Sequence, residues 1–313
     1  MAYAQEHAHS QPASRTLVRA AGFVRRYWAP YLFVSPFFLM FAAFMLYPVL
    51  FSLVLSFHEW NGVGPMVWRG LDNYARLAHD QAFIQSFINS AIIFVMYVPA
   101  MTALALVLAA LLNSAYLRAR ALWRAAIFLP YVTAVVAVGF TFALLFDRDF
   151  GLLNLVLVAV GLPKVDWLLL PALARLSVST LVTWRWLGYN MVIMLGGLQN
   201  IPGELYEAAT IDGAGVLRSF LSITIPLMRP VILFAVVLST IGTFSLFTEP
   251  YVLFQGTSGA GPARATLTPV LHLYHNAFGF LKFGYASAIA YVYFGVLFVL
   301  TALQWKLFGR DGG

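Results

Sequence analysis

The chain has 313 residues, of which 61% are apolar and 10% charged, against about 25% charged in ordinary soluble domains, and its mean hydropathy is +0.82. That composition, with 16% aromatic residues, excludes a soluble globular domain and fits a surface covered mostly by lipid. The absence of cysteine removes disulfide frameworks, thiolate metal sites and cysteine nucleophiles, and no basic run interleaves with aromatics in the way nucleic-acid binding would require.

In chain order, uncharged apolar stretches cover Tyr31 to Phe57, Ala82 to Leu117, Ala125 to Phe146, Pro230 to Thr248 and Phe283 to Trp305. Each is long enough to cross a hydrocarbon core, which takes roughly 20 helical residues. Leu176 to Leu198 is equally apolar except for Arg185 and makes a sixth span, while Phe150 to Pro163 and Trp167 to Ala174 are shorter and read as interfacial or re-entrant pieces of an outer loop. The first span is too long for the apolar region of a cleavable signal peptide. The expected fold is therefore an all-α, polytopic membrane bundle of six helices. It has an N-terminal tail over 1–30, a six-span domain over 31–308 that contains an inner loop at 199–230, and a C-terminal tail over 309–313.

Six spans leave both termini on one side, and basic residues choose it. Arg15, Arg19, Arg25, Arg26, Arg118, Arg120, Arg124, Arg218, Arg229, Lys306 and Arg310 share the terminal face with only Glu6, Glu204, Glu207, Asp212 and Asp311, a balance of +6, whereas the opposite face sums to zero. By the positive-inside rule the termini and the 199–230 loop are cytoplasmic.

That loop is the most patterned part of the chain. Pro202 suits the first turn of a helix, Glu204 and Glu207 favour its dipole, Ala208 and Ala209 form helix while leaving the surface bare, and Gly213 and Gly215 stop it. A second short helix is expected from Val216 to Ile225, ended by Pro226 and Pro230. The result is a small helix at the membrane surface against which another backbone can lie closely. On physical grounds alone it serves equally as an interfacial helix packed on the bilayer or on its own spans.

Glu207-Ala208-Ala209, Asp212-Gly213-Ala214, Phe220, Pro226 and Pro230, at these offsets, resemble the EAA loop of ABC importer permeases. The likeness extends through Arg124 to Pro130, Gly151 to Asn154, Trp184 to Met191, Leu198 to Pro202 and Phe247 to Tyr251. It is in the style of the carbohydrate-uptake permeases, and of the first partner of their permease pairs without the extra N-terminal spans. Gly259-Ala-Gly-Pro262 departs mildly from the family's usual Gly-Gly-Pro. The resemblance implies a type I ABC importer permease of a bacterial or archaeal cell membrane. In it Glu207, Ala208, Ala209, Asp212, Gly213, Ala214, Phe220 and Pro226 would form the helix that couples to an ATPase. It also implies a second EAA-type permease, two ATPase subunits, and an external solute-binding protein or lipoprotein. The solute would be a sugar, with glycerol phosphate or another small polar solute as the alternative.

The chain itself carries no phosphate-binding loop, so ATP and Mg would be bound by the partner ATPase and no cofactor by this chain. It shows no grouping of nucleophile and base, hence no catalytic residues and no enzyme. No metal-ligand spacing appears either: His272 and His275 lie three apart in an outer loop with no carboxylate nearby in sequence. An ion-coupled secondary transporter would show inverted repeats and intramembrane carboxylates, and neither is seen in the spans.

Arg185 inside a span costs about 2.5 to 3.5 kcal/mol unless paired or hydrated, so it should face the bundle interior, with Glu249 as its partner. Tyr189 lies four residues on from Arg185, and Asn190 four on from Trp186. Arg185, Trp186, Tyr189, Asn190 and Glu249 are thus candidates for the solute pathway. The alternative is that Arg185 and Glu249 form a structural ion pair and the tryptophans merely pack.

Overall fold

The computed structural model describes residues 28–114 and 117–308. The terminal charges from Glu6 to Arg26, together with Arg310 and Asp311, lie outside the described residues. The chain divides into two compact units, 1–54 and 55–313. In the first, the described residues form helix α1 (Trp28–Leu55), which includes a π-turn at Ala42–Leu46.

The second unit is helical apart from a two-residue hairpin, β1 (His58–Glu59) with β2 (Val67–Trp68). It continues with α2 (Asp72–Ala78), α3 (Gln81–Asn113), α4 (Arg120–Val132), α5 (Val135–Leu145), α6 (Leu152–Ala159) and α7 (Pro171–Leu198). Then come α8 (Gly203–Ile211), α9 (Val216–Phe244), α10 (Thr248–Leu253), α11 (Pro269–Tyr274) and α12 (Phe283–Phe308).

Among the described residues, four helices are long and apolar enough to cross a membrane (α1, α3, α9 and α12), and the bent pair α4 and α5 raises the number to five. The expected sixth, α7, has the length, about 42 Å at 1.5 Å per residue, but not the apolar composition. The reason lies in its position. It packs along α3, α4 and α9, and buries Ser177, Ser179, Gly188 and Asn190 against protein, so it need not be greasy all round.

Two expectations need correction. The third span is no single rod: α4 and α5 meet at 91°. Pro130 lacks the N–H its helix needs, and the Thr133 hydroxyl donates to Pro130 O at 2.6 Å where the helix stops. Nor do Pro226 and Pro230 end a short helix after the inner loop. The helix runs unbroken from Val216 to Phe244 through a π-turn at Phe220–Thr224. In an α-helix the Pro226 ring would press on the carbonyl of Ser222, and the wider turn just before it makes room.

Two layers of the core bear on α7. One joins Ile93, Tyr97 and Met101 of α3 to Val178, Leu181 and Val182 of α7 and to Phe142 of α5. The other joins Ala105 and Ala109 to Met191, Met194 and Met228. Both alanines are wholly buried, and their small side chains let α3 and α7 lie close. At Gly188 a Cβ would stand 2.1 Å from the carbonyl oxygen of Ile127 in α4.

Candidate coupling and translocation sites

Helix α8 is built as the loop pattern requires. Pro202 precedes it in extended conformation and Glu204 lies in its first turn. At its other end Asp212 is the last near-helical residue, and Gly213 turns left-handed at φ +75°. The amides of Gly213 and Ala214 donate to the carbonyls of Thr210 and Ala209, at 3.0 and 2.8 Å, which closes a Schellman cap. Glu207, Ala208 and Asp212 are exposed, and Ala209 and Ala214 half-buried. Phe220 packs on the inner core layer from within the π-turn.

The sequence pattern did not single out the apolar side chains on this surface. Ile211 is 87% exposed and Val216 90%, with Leu217 beside them. Residues so apolar and so bare, next to a capped helix, make a surface suited to being covered. Periodicity could not reveal them, because it reports which face looks inward to its own chain.

The second constellation lies midway along α7. Arg185 is fourteen residues from Pro171, about 21 Å along the helix. Its Nη1 donates to Glu249 Oε1 at 3.0 Å, and both side chains are largely buried. The expected partnership is therefore present, although Glu249 sits on the separate helix α10 and not at the end of α9. The guanidinium also lies 5.6 Å from the centre of the Trp186 ring, while its buried Nε has no partner among the described residues.

Trp186 and Tyr189 join Tyr131 of α4 in an aromatic trio, with Tyr131 stacked on Tyr189 at 4.8 Å and edge-on to Trp186 at 5.2 Å. The Asn190 amide donates to Trp186 O at 3.1 Å and approaches Met101 Sδ at 3.7 Å. Nearby, the hydroxyls of Tyr97 and Thr243 tie α3 to α9 at 2.6 Å. The cavity bounded by Tyr97, Trp186, Tyr189, Asn190 and Ser239 measures about 30 Å³. That is the space of about one water, far short of a sugar ring.

A third group, built from residues far apart in the chain, gathers around Asp80 at the start of α3. His272 has a carboxylate after all: its Nε2 lies 3.0 Å from Asp80 Oδ2, which also accepts from Tyr285 OH at 2.6 Å. Asp80 Oδ1 meanwhile caps α3 through the amides of Ala82 and Phe83. One carboxylate thus joins α3, α11 and α12. Burial works against charge on Asp80, but the Tyr285 hydroxyl, the His272 ring and the Phe83 amide hold its carboxyl below the usual range. Burial pushes His272 below the ordinary imidazole value, with Asp80 opposing and His275 and Arg264 adding to the fall. No cluster of three metal-ligating side chains occurs among the described residues.

The chain matches the family model of the binding-protein-dependent transport system inner membrane component over residues 77–308. It is 43% identical over 277 residues to the lactose transport system permease protein LacF of Rhizobium radiobacter, covering 88% of this chain and 92% of that one. It is 35% identical over 286 residues to the arabinooligosaccharides transport system permease protein AraP of Bacillus subtilis (strain 168), covering 91% and 90%. In fold it is similar to a chain of a crystallised bacterial ABC transporter involved in import of the acidic polysaccharide alginate. The TM-score is 0.81 and the identity 22%, over 94% of this chain and all of that one.

Proposed function

The chain belongs to the family of binding-protein-dependent transport system inner membrane components, and from that premise we propose that it is the permease subunit of an ATP-driven sugar importer. The observation that carries the reading is α8. It is a short, capped helix at the root of a membrane-crossing helix, with Glu207 and Asp212 exposed and Ile211 and Val216 bare. In this reading it docks on an ATPase that binds ATP and Mg. The termini and α8 face the cytoplasm, as the basic residues favour. An external binding protein delivers solute to the opposite face.

A single chain's cavity of about 30 Å³ cannot hold the cargo, so a second permease of the same kind completes the pathway, and solute passes between them by alternating access. Trp186, Tyr189 and Asn190 border that space, and Arg185, paired with Glu249, lies next to Trp186. The names of the lactose and arabinooligosaccharide relatives support a sugar. So does the 3.0 Å ion pair, which leaves Arg185 neutralised and disfavours an anionic solute such as glycerol phosphate.

The test is to co-express the chain with its neighbouring permease, ATPase and binding protein, and to measure ATP hydrolysis in lipid nanodiscs against galactosides and pentose oligosaccharides. Stimulation by one sugar through its binding protein supports the assignment. Assembly without stimulation by any sugar removes the sugar, and failure of any ATPase to associate removes the importer.

A further inference from the structure

Every residue of α8 except Tyr206 and Ala209 is exposed, and a groove of about 380 Å³ runs beside it, bordered by Tyr206, Thr210, Phe220 and Thr224 and by Asn113 and Leu198 at the ends of α3 and α7. The helix is therefore held to its own unit by few contacts. Two are covalent: the short link from α7 through Gln199 to Pro202, and the connection to α9 through Gly213, Ala214 and Gly215, whose two glycines make it a natural pivot. Another crosses the groove edge: the Tyr206 hydroxyl meets the Thr224 hydroxyl at 2.9 Å. Among the described residues it is the side-chain hydrogen bond that leaves α8 for the rest of the chain.

Its far end is well chosen. Thr224 is 4% exposed and closes the π-turn in α9, where the Ile225 amide bonds back to Phe220 O. Toward α9, a joint made only of Gly213 to Gly215 would fold when α8 is pushed. With the hydroxyl contact as a second point, α8 and the first turns of α9 form a braced corner.

We propose that the Tyr206–Thr224 hydrogen bond is the brace that makes α8 and α9 move as one body, so that a push on α8 tilts α9 instead of flexing the loop between them. Its role in transport rests on the reading of α8 as the ATPase-docking helix. Tyr206 and Thr224 are then positioning residues, acting through α9 on the pathway.

The chain has no cysteine, so spin labels can be placed at Leu205→Cys on α8 and Ile241→Cys on α9, both exposed positions, without background. Distances are read by pulsed electron resonance in nanodiscs, for the chain alone and for the complex with its ATPase in ATP and vanadate. The expected result is one distance peak for the parent in both samples. In Tyr206→Phe and in Thr224→Val a second peak, below detection in the parent, should appear as the ratio of hinged to braced forms rises about fivefold, the weight of one hydrogen bond. Thr224→Ser, which keeps the hydroxyl, should retain the single peak.

A single parental peak in Tyr206→Phe overturns the brace, and so does a second peak already present in the parent. Loss of the single peak in Thr224→Ser as well would mean that methyl packing and not the hydroxyl holds the corner, which also overturns it. If no ATPase associates with the parent, the docking reading falls, while the chain-alone sample still reads the brace itself.

Discussion

Arg185 shows how one charged side chain is made tolerable inside a helix packed among others. Its ion pair with Glu249 is largely buried, so removing either partner strands the other. Glu249→Gln is expected to cost about 3 kcal/mol, read as a lowered melting temperature of the purified protein in detergent. Adding Arg185→Met to it should recover part of the loss; simple addition of the two effects would show that the pair is not coupled. The partnership was legible in the sequence because Arg185 interrupts an otherwise apolar stretch. The seat of Glu249 on a helix of its own was not, since Phe247 and Thr248 read as a continuation of the preceding span. Asn190 looked like a pathway residue for its chemistry, but local spacing cannot say that its amide turns back to Trp186 O.

At the scale of elements, close approach and turning are what the glycines of this chain supply. Gly188→Ala would press a methyl into the backbone of Ile127 and should destabilise by about 2 kcal/mol or separate α4 from α7, visible as earlier thermal unfolding. Gly213→Ala meets open space but must hold φ +75°, at about 1 kcal/mol. The effect should appear as weaker co-purification of the ATPase with little change in melting. Glu207→Lys should weaken that association further, by reversing an exposed charge on the proposed docking surface. The α8 helix and its end were readable because capping is local chemistry. The course of α9 was not: prolines are normally breakers, and only a three-dimensional chain shows that a π-turn absorbs Pro226.

At the scale of the whole second unit, the Asp80, His272 and Tyr285 group ties three elements together, from residues up to 205 positions apart. Sequence separation of that order hides such a group completely. Because His272 is lowered in the folded protein, the folded form binds fewer protons than the unfolded one. Its contribution is therefore present above about pH 6.5 and is lost as the pH falls through the lower folded value. Asp80 acts in the same direction, with its contribution lost only below about pH 4. The melting temperature should fall between pH 7.5 and 5, at about those bounds, and His272→Gln should flatten the fall. An equally steep fall in the variant would place the titration elsewhere.

Helix α9 also sets a scale for movement. From Val216 to Thr243 it extends about 40 Å, so a tilt of about 5° about its first turn sweeps the far end through about 3.5 Å. The Tyr97–Thr243 hydrogen bond at that far end is 2.6 Å long. If α9 tilts by that angle while α3 stays in place, the displacement exceeds what a hydrogen bond spans, and the Tyr97–Thr243 contact opens like a fuse at the tip of a lever.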